Sequence, residues 1–210
     1  MLLSGGIDSA TALYLVRSKY RARALTFEYH GIAKREVDSS RAIAARAGAV
    51  EHRLVRLPDL KEASDIPGAV FKGLPPTYIP LRNAIFYSFA AAYAEEAGAS
   101  AIVGGHNRDD AAVFLDVGTE FFSHLQAAFL SGSARLRQNG LRIIRPLKHR
   151  RKASVLKLAK SLGVPLELTW SCHRDGASHC WRCPGCLSRR QAFSRAGVND
   201  PLEESPRKIT

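Results

Sequence analysis

The segment Ser4-Gly5-Gly6-Ile7-Asp8-Ser9 constrains this chain more than any other. It lies between an apolar stub, Leu2-Leu3, and an apolar run with helical spacing over residues 10–17, so it joins a first strand to a first helix. Paired glycines let the backbone turn tightly and bring its N–H groups close to an anion. Asp8 and Ser9 are expected as caps at the helix start. The helix N-terminus adds a partial positive charge, and the Ser4 and Ser9 hydroxyls can donate to phosphate oxygens. The segment therefore has the makings of a pyrophosphate cradle. It lacks the Lys of G-x-x-x-x-G-K-[ST], and its spacing is not that of G-x-G-x-x-G.

Downstream, strand and helix patterns alternate. Extended patterns fall at 24–29, 52–57, 101–103 and 141–144; helical ones at 36–47, 83–97, 119–130 and 152–161. Gly48, Gly98 and Gly163 stand where three of the helices should stop. Residues 59–80 carry Pro67, Gly68, Gly73, Pro75 and Pro76, and are expected to be loop. This alternation predicts an α/β fold, a Rossmann-like parallel sheet with helices on both faces. Ligands in such sheets bind beyond the carboxyl ends of the strands, where Ser4–Ser9, Tyr29–Gly31 and Gly104–Asp110 fall. Leu2-Leu3 is shorter than the roughly five residues usual for a buried strand, so the chain is expected to begin late.

All four cysteines fall in one C-terminal stretch: Cys172, Cys180, Cys183 and Cys186, in the pattern C-x7-C-x2-C-x2-C. Thiolates at C-x2-C spacing can share one metal, and four of them close a tetrahedron around Zn²⁺ with no open position, a structural rather than hydrolytic site. An iron–sulfur cluster, a redox-active pair, or His173 or His179 in place of one cysteine are the alternatives. In a reducing compartment metal binding is favoured over disulfides. The expected division is a nucleotide-binding α/β domain over 1–168 and a zinc-binding segment over 169–210 packed on it.

The 210 residues are 46% hydrophobic and 24% charged, as in ordinary globular domains. No stretch approaches the roughly 20 apolar residues of a membrane span. The glycine loop begins at residue 4, leaving no room for a signal peptide, so a cytoplasmic protein is expected. The formal charge of +12 attracts anions, whether nucleotides or nucleic acid. No aromatic-rich RNA motif accompanies it, and RNA binding is not the leading expectation.

S-G-G-x-D-S resembles the signature of the PP-loop ATP pyrophosphatases, enzymes of adenine nucleotide alpha hydrolase-like fold that split ATP between its α and β phosphates. The Thr169–Cys172 segment, the remaining cysteines, Arg190, Phe193 and Gly197-Val198-Asn199-Asp200-Pro201 resemble the zinc motif of 7-cyano-7-deazaguanine synthases. Ile79-Pro80-Leu81-Arg82-Asn83 is similar to that family's V-P-x-R-N, and Pro146-Leu147 with Lys152 to its P-L-x-x-x-x-K. The likeness runs from Leu3 to Pro201. It implies 7-carboxy-7-deazaguanine and ammonia as substrates, an adenylated carboxylate, an amide intermediate, a nitrile product for queuosine or archaeosine synthesis, and a homodimer using ATP, Mg²⁺ and Zn²⁺. It implies that Leu3, Ser4, Gly5, Gly6, Asp8, Ser9, Tyr29 and Gly105 hold the nucleotide. Arg82 and Lys152 would balance phosphate charge, Asp8 would contact Mg²⁺, and Asp116 would accept from a guanine-like edge. Arg82, Asn83, Asn107, Asp110, Asp116 and Glu120 would bind substrate.

Departures are concentrated over residues 105–121. Phe114, Leu115, Val117 and Gly118 stand where the family pattern G-x-N-x-x-D-x-x-x-Y-P-D-C-R-x-E-F has Tyr, Pro, Cys and Arg. Gly118 cannot supply the guanidinium of that Arg. Tyr29-His30-Gly31 replaces Y-G-Q. These changes point to a divergent branch, archaeal in this reading, or an altered substrate. The competing readings are a PP-loop enzyme adenylating a tRNA base, such as a thiolase or lysidine-type ligase, and a non-catalytic homologue.

Overall fold

Two of the four strands of this chain are only three residues long, and what joins the two strand pairs into one sheet is the stub at its start. The computed structural model describes residues 1–62 and 78–203. In order these form α1 (Ile7–Val16), β1 (Arg23–Tyr29), α2 (Lys34–Ala47), β2 (Glu51–Leu57), α3 (Arg82–Ala97), β3 (Ala101–Val103), α4 (Arg108–Ala111), α5 (Thr119–Gly132), α6 (Ala134–Gln138), β4 (Arg142–Ile144), α7 (Lys152–Ser161) and α8 (Pro184–Ala196). β1 pairs with β2 in parallel from Arg23↔Glu51 to Tyr29↔Leu57, and β3 pairs with β4 in parallel from Ala101↔Arg142 to Val103↔Ile144. Between the pairs lies Leu2-Leu3. Leu2 bridges Leu25 in parallel. The Leu2 N–H donates to Val103 O at 2.9 Å and the Leu3 N–H to Leu25 O at 2.8 Å. The spatial order is β2, β1, stub, β3, β4. Strand order therefore reverses beside the stub, the switch point at which open α/β sheets bind ligands.

Each face of the sheet is covered. Leu3 packs with Ile7, Ala10 and Leu13 of α1, Ile43 of α2, Leu156 of α7 and Phe193 of α8. Leu2, its neighbour, packs on the other side with Tyr87, Ala90 and Ala94 of α3, Phe122 of α5 and Leu136 of α6. Adjacent residues facing opposite sides is the two-residue period of a strand. Gly48 and Gly98 end α2 and α3 in the left-handed conformation at φ 73° and 64°.

The expected fold class is the observed one. Some local details differ. The first helix starts at Ile7 with Gly6 as its N-cap and no side-chain cap, so Asp8 and Ser9 sit in its first turn instead of capping it. The sequence reading also missed α8 and the short α4 and α6. Most of the expected 59–80 loop lies outside the described residues.

Candidate active site

A cleft of about 440 Å³ opens at the carboxyl ends of the strands, beside the stub. Of the residues singled out in the sequence, Leu3, Ser4, Asp8, Ser9, Tyr29, Arg82, Asn83, Gly105, Asp110 and Lys152 line it. They come from five separate stretches of chain, and the sheet topology alone brings them together.

The glycine loop is held by its own serines. Ser4 N–H donates to Ser9 Oγ at 3.2 Å, Ser9 Oγ donates to Gly6 O at 3.1 Å, and the two hydroxyls lie 3.0 Å apart. With no side-chain cap on α1, the N–H groups of its first turn are left for an anion. Gly5 lies against α2 at φ 84°, where a Cβ would fall 2.5 Å from Glu36 O. Gly105 crosses the start of α1 so closely that a Cβ would be 2.7 Å from Ser9 Cα. Both glycines are fixed by backbone approach.

Charge concentrates beside this loop. Lys152 Nζ lies 3.5 Å from Asp8 Oδ2, and its backbone N–H donates to Asp109 Oδ2 at 2.9 Å. Asp8 holds the Lys152 ammonium above its ordinary range. Burial first, and then Asp8, push the Asp110 carboxyl up to about 6. Asp8 Oδ1 is buried and without a hydrogen-bond partner among the described residues. An orphaned carboxylate oxygen facing a second acid is a fit set of donors for a hard cation. Asn107 caps α4, its Oδ1 accepting from Asp109 and Asp110 N–H at 2.7 and 3.2 Å, with Asp110 Oδ2 accepting from Asn107 N–H at 3.0 Å. Asn107 thus shapes the loop that carries Asp110.

At the other side of the cleft stand Tyr29, Glu36 and Arg82 with an aromatic wall. Phe27 stacks on Phe86 with centroids 4.1 Å apart, and Tyr29 tilts against Phe86 at 5.7 Å. Burial pushes the Glu36 carboxyl up to about 7, against the pull of Arg82. Burial likewise raises the Tyr29 phenol, with Arg82 opposing. His106 is driven down to about 4, by burial and then by Arg82 and Arg145, and is neutral at pH 7. Asp116 lies behind this wall: its Oδ2 accepts from Asn83 N–H at 3.2 Å and its carbonyl from Asn83 Nδ2 at 3.1 Å. Glu120 is exposed on α5 and outside the cleft lining. Sequence reasoning missed Glu36, His106, Phe27 and Phe86. An acid in a first helical turn reads as dipole compensation, and phenylalanines at strand or helix spacing read as core.

Where the resemblance places an arginine, Gly118 is the N-cap of α5. The Arg145 guanidinium occupies that neighbourhood, donating to Val117 O at 3.0 Å and lying 4.5 Å over the Phe122 ring.

The four cysteine sulfurs all lie within 4.8 Å of one another. Cys180 and Cys186 are 3.9 Å apart, as are Cys172 and Cys183. That spacing matches the edge, about 3.8 Å, of a tetrahedron with metal–sulfur bonds of about 2.3 Å. Backbone N–H groups of Arg174, Cys183 and Cys186 point at Cys172, Cys180 and Cys183 at 3.4, 3.4 and 3.5 Å, a pattern that suits thiolates. The cluster can hold a metal ion. It is tied to the glycine loop: Trp170 N–H donates to Gly5 O at 3.0 Å, and His173 reaches the cleft wall. Arg189 of α8 was also missed. It is fully buried, pairs with Asp200 at 2.6 and 2.8 Å, and donates to Thr169 Oγ1 at 2.8 Å and Leu166 O at 3.2 Å.

A parallel sheet with an uncapped glycine loop at its switch point, and a lysine and carboxylates facing it, defines a nucleotide-binding α/β protein of the Rossmann-like class. The NMN synthetase of Francisella tularensis shares the fold, with a TM-score of 0.50 at 15% identity over 98% of this chain and 87% of that one. More specifically, the chain belongs to the family of the queuosine biosynthesis protein QueC, whose family model matches residues 1–197. Relatives include the 7-cyano-7-deazaguanine synthases of Thermoplasma acidophilum, 36% identical over 97% of this chain and 90% of that one, and of Acinetobacter baylyi, 37% identical over 98% and 94%. That of Trichodesmium erythraeum is 36% identical over 96% and 98%. Among the described residues no helix is long and apolar enough to cross a membrane.

Proposed function

We propose that this chain converts 7-carboxy-7-deazaguanine and ammonia, driven by ATP, into 7-cyano-7-deazaguanine. The reading is carried by one conjunction: membership of the QueC family, and a cleft in which the glycine loop, Lys152 and Asp8 meet Arg82 and an aromatic wall.

The chemistry explains the residues. A carboxylate is a poor acyl donor because its leaving group would be oxide. Its oxygen attacks the α-phosphorus of ATP and pyrophosphate leaves. Ammonia then adds to the activated carbonyl and AMP departs, giving the amide. A second activation at the amide oxygen, followed by loss of AMP and protons, gives the nitrile. The first-turn N–H groups of α1 and the Ser4 and Ser9 hydroxyls bind the phosphates. Lys152 offsets the charge that grows on them. Asp8 and Asp110 are the residues that would hold Mg²⁺, which when bound polarises the phosphoryl oxygens. Gly5, Gly6 and Gly105 let backbone approach the nucleotide, Leu3 and Tyr29 flank it, and Asn83, Asn107 and Asp116 fix the loops around it. Cys172, Cys180, Cys183 and Cys186 would hold zinc in a closed four-thiolate site, which would clamp the C-terminal segment to the glycine loop and leave no open position for chemistry.

The product serves queuosine synthesis, and archaeosine synthesis if the host makes it, as a step toward tRNA modification in the cytoplasm. A homodimer is part of this reading, and the exposed Leu81, Val113 and Leu115 are apolar groups a second copy could cover.

The test is incubation of zinc-replete protein with Mg-ATP, ammonium and 7-carboxy-7-deazaguanine, with products read by mass spectrometry. Nitrile and AMP are expected. Amide that never dehydrates limits the chain to half the reaction, and ATP binding without substrate-dependent AMP sinks the reading and leaves the tRNA-base alternative.

A further inference from the structure

We propose that Glu36 and Arg82 together read the 2-amino-4-oxopyrimidine edge of the substrate, the Glu36 carboxylate accepting from the ring N–H and exocyclic amino group and the Arg82 guanidinium donating to the keto oxygen. This rests on the reading above and adds the residues that select the base.

The heterocycle presents an acceptor and two donors side by side. A cation beside an acceptor-only carboxylate is the complementary pair. Few carboxylates on the cleft wall are able to play that part. Asp8 and Asp110 are engaged with Lys152, beside the loop that takes phosphates. Asp116, the residue expected from the sequence to take this edge, commits its Oδ2 to the Asn83 N–H and is absent from the cleft lining. Glu62 also lines the cleft and acts on Tyr29, and Glu36 is preferred to it because Arg82 acts directly on Glu36. It lies within the field of Arg82, on the same wall as Tyr29, and its backbone is pinned because Gly5 packs on its carbonyl. Phe27, Phe86 and Tyr29 supply a flat apolar surface on which a planar bicycle can lie. A carboxylate desolvated in such a place gains most from a ligand that brings two donors. Its raised pKa of about 7 records how little the protein alone satisfies it.

The experiment compares 7-carboxy-7-deazaguanine with its analogue lacking the 2-amino group, on metal-loaded wild type, Glu36→Gln and Glu36→Ala. Two readouts are taken: kcat/KM, and calorimetric affinity with a non-hydrolysable ATP analogue present. Wild type is expected to prefer the amino-bearing ligand by about 10–100-fold, the worth of a good bidentate pair. Glu36→Gln, which turns a donor toward the ligand's donors, should bring the preference to within about threefold, because the paired acceptor is gone. Affinity for the ATP analogue alone should not move, which separates lost recognition from a misfolded variant. A preference kept in both variants, or absent from wild type, overturns the proposal. Wild type that binds with the preference but makes no AMP overturns the function while keeping this edge site. Turnover with no effect of either variant does the reverse.

Discussion

Asp200→Asn tests how the C-terminal segment is held. Asp200 receives the Arg189 Nε and Nη2 at 2.6 and 2.8 Å, and both side chains are 0% exposed. The other Arg189 donors go to Thr169 Oγ1, Thr169 O and Leu166 O, so the guanidinium is fully satisfied. Asparagine leaves the shape but turns a donor toward a buried cation with no water to replace the lost acceptor. Breaking one partner of such a pair costs about 3–5 kcal/mol. For a chain of this size, at roughly 2–4 °C per kcal/mol, the melting temperature should fall by about 6–20 °C. Calorimetry and urea titration, in zinc-replete buffer at low and high salt, measure it, and the loss should be nearly independent of salt. Arg189→Met with Asp200→Leu replaces both groups by apolar ones and should recover much of the loss. Arg190–Glu203 is the control: with side chains 47% and 39% exposed, Glu203→Gln should cost no more than about 1 kcal/mol. A cost for Asp200→Asn equal to that control, or a double variant no better than the single, would refute this account.

Other outcomes follow from the same geometry. Lys152→Ala should lower kcat/KM by about 10²–10³-fold with unchanged zinc content, the scale of losing one group that stabilises transition-state charge. Gly105→Ala forces a Cβ to 2.7 Å from Ser9 Cα and should abolish ATP binding in a calorimeter, whereas Gly31→Ala, with nothing within 4 Å, should cost only about 1 kcal/mol of backbone strain. Cys183→Ser removes a ligand that also caps α8; metal content by mass spectrometry should fall and the urea midpoint with it. Glu36 carries a pH signature. Its folded pKa, about 7, lies above the ordinary 4.5, so its contribution to stability is full below about 4.5 and is lost as pH rises through 7. The groups facing it are Arg82, Tyr29 and Asp175, and burial holds the Tyr29 phenol above its ordinary range, outside that window. The difference in urea midpoint between wild type and Glu36→Gln should therefore shift in favour of the variant between pH 5 and pH 8; a pH-independent difference rules the assignment out.

The amino-acid sequence alone determined the nucleotide loop, the metal cluster and the alternation of strands and helices, because each is local. Ser4–Ser9 and Cys180–Cys186 place their groups through turns of a few residues, and glycine and cysteine spacings are visible without contacts. The helix ends at Gly48 and Gly98 were legible for the same reason. What the sequence left open depended on residues distant in the chain. Leu2-Leu3 read as a truncated strand, and only hydrogen bonds to Leu25 and Val103 show that two residues suffice to join the halves of the sheet. Glu36 read as a helix-start acid until the topology set it beside Arg82, and that Asp116 takes the Asn83 N–H on its Oδ2 could be seen only in the fold. Arg189 lay unnoticed among surface cations, although the fold buries it completely. A side chain's chemistry is written in the sequence, but its dielectric surroundings and its partners are properties of the packed molecule. Tertiary structure therefore decided which charges became a binding wall and which a structural clamp.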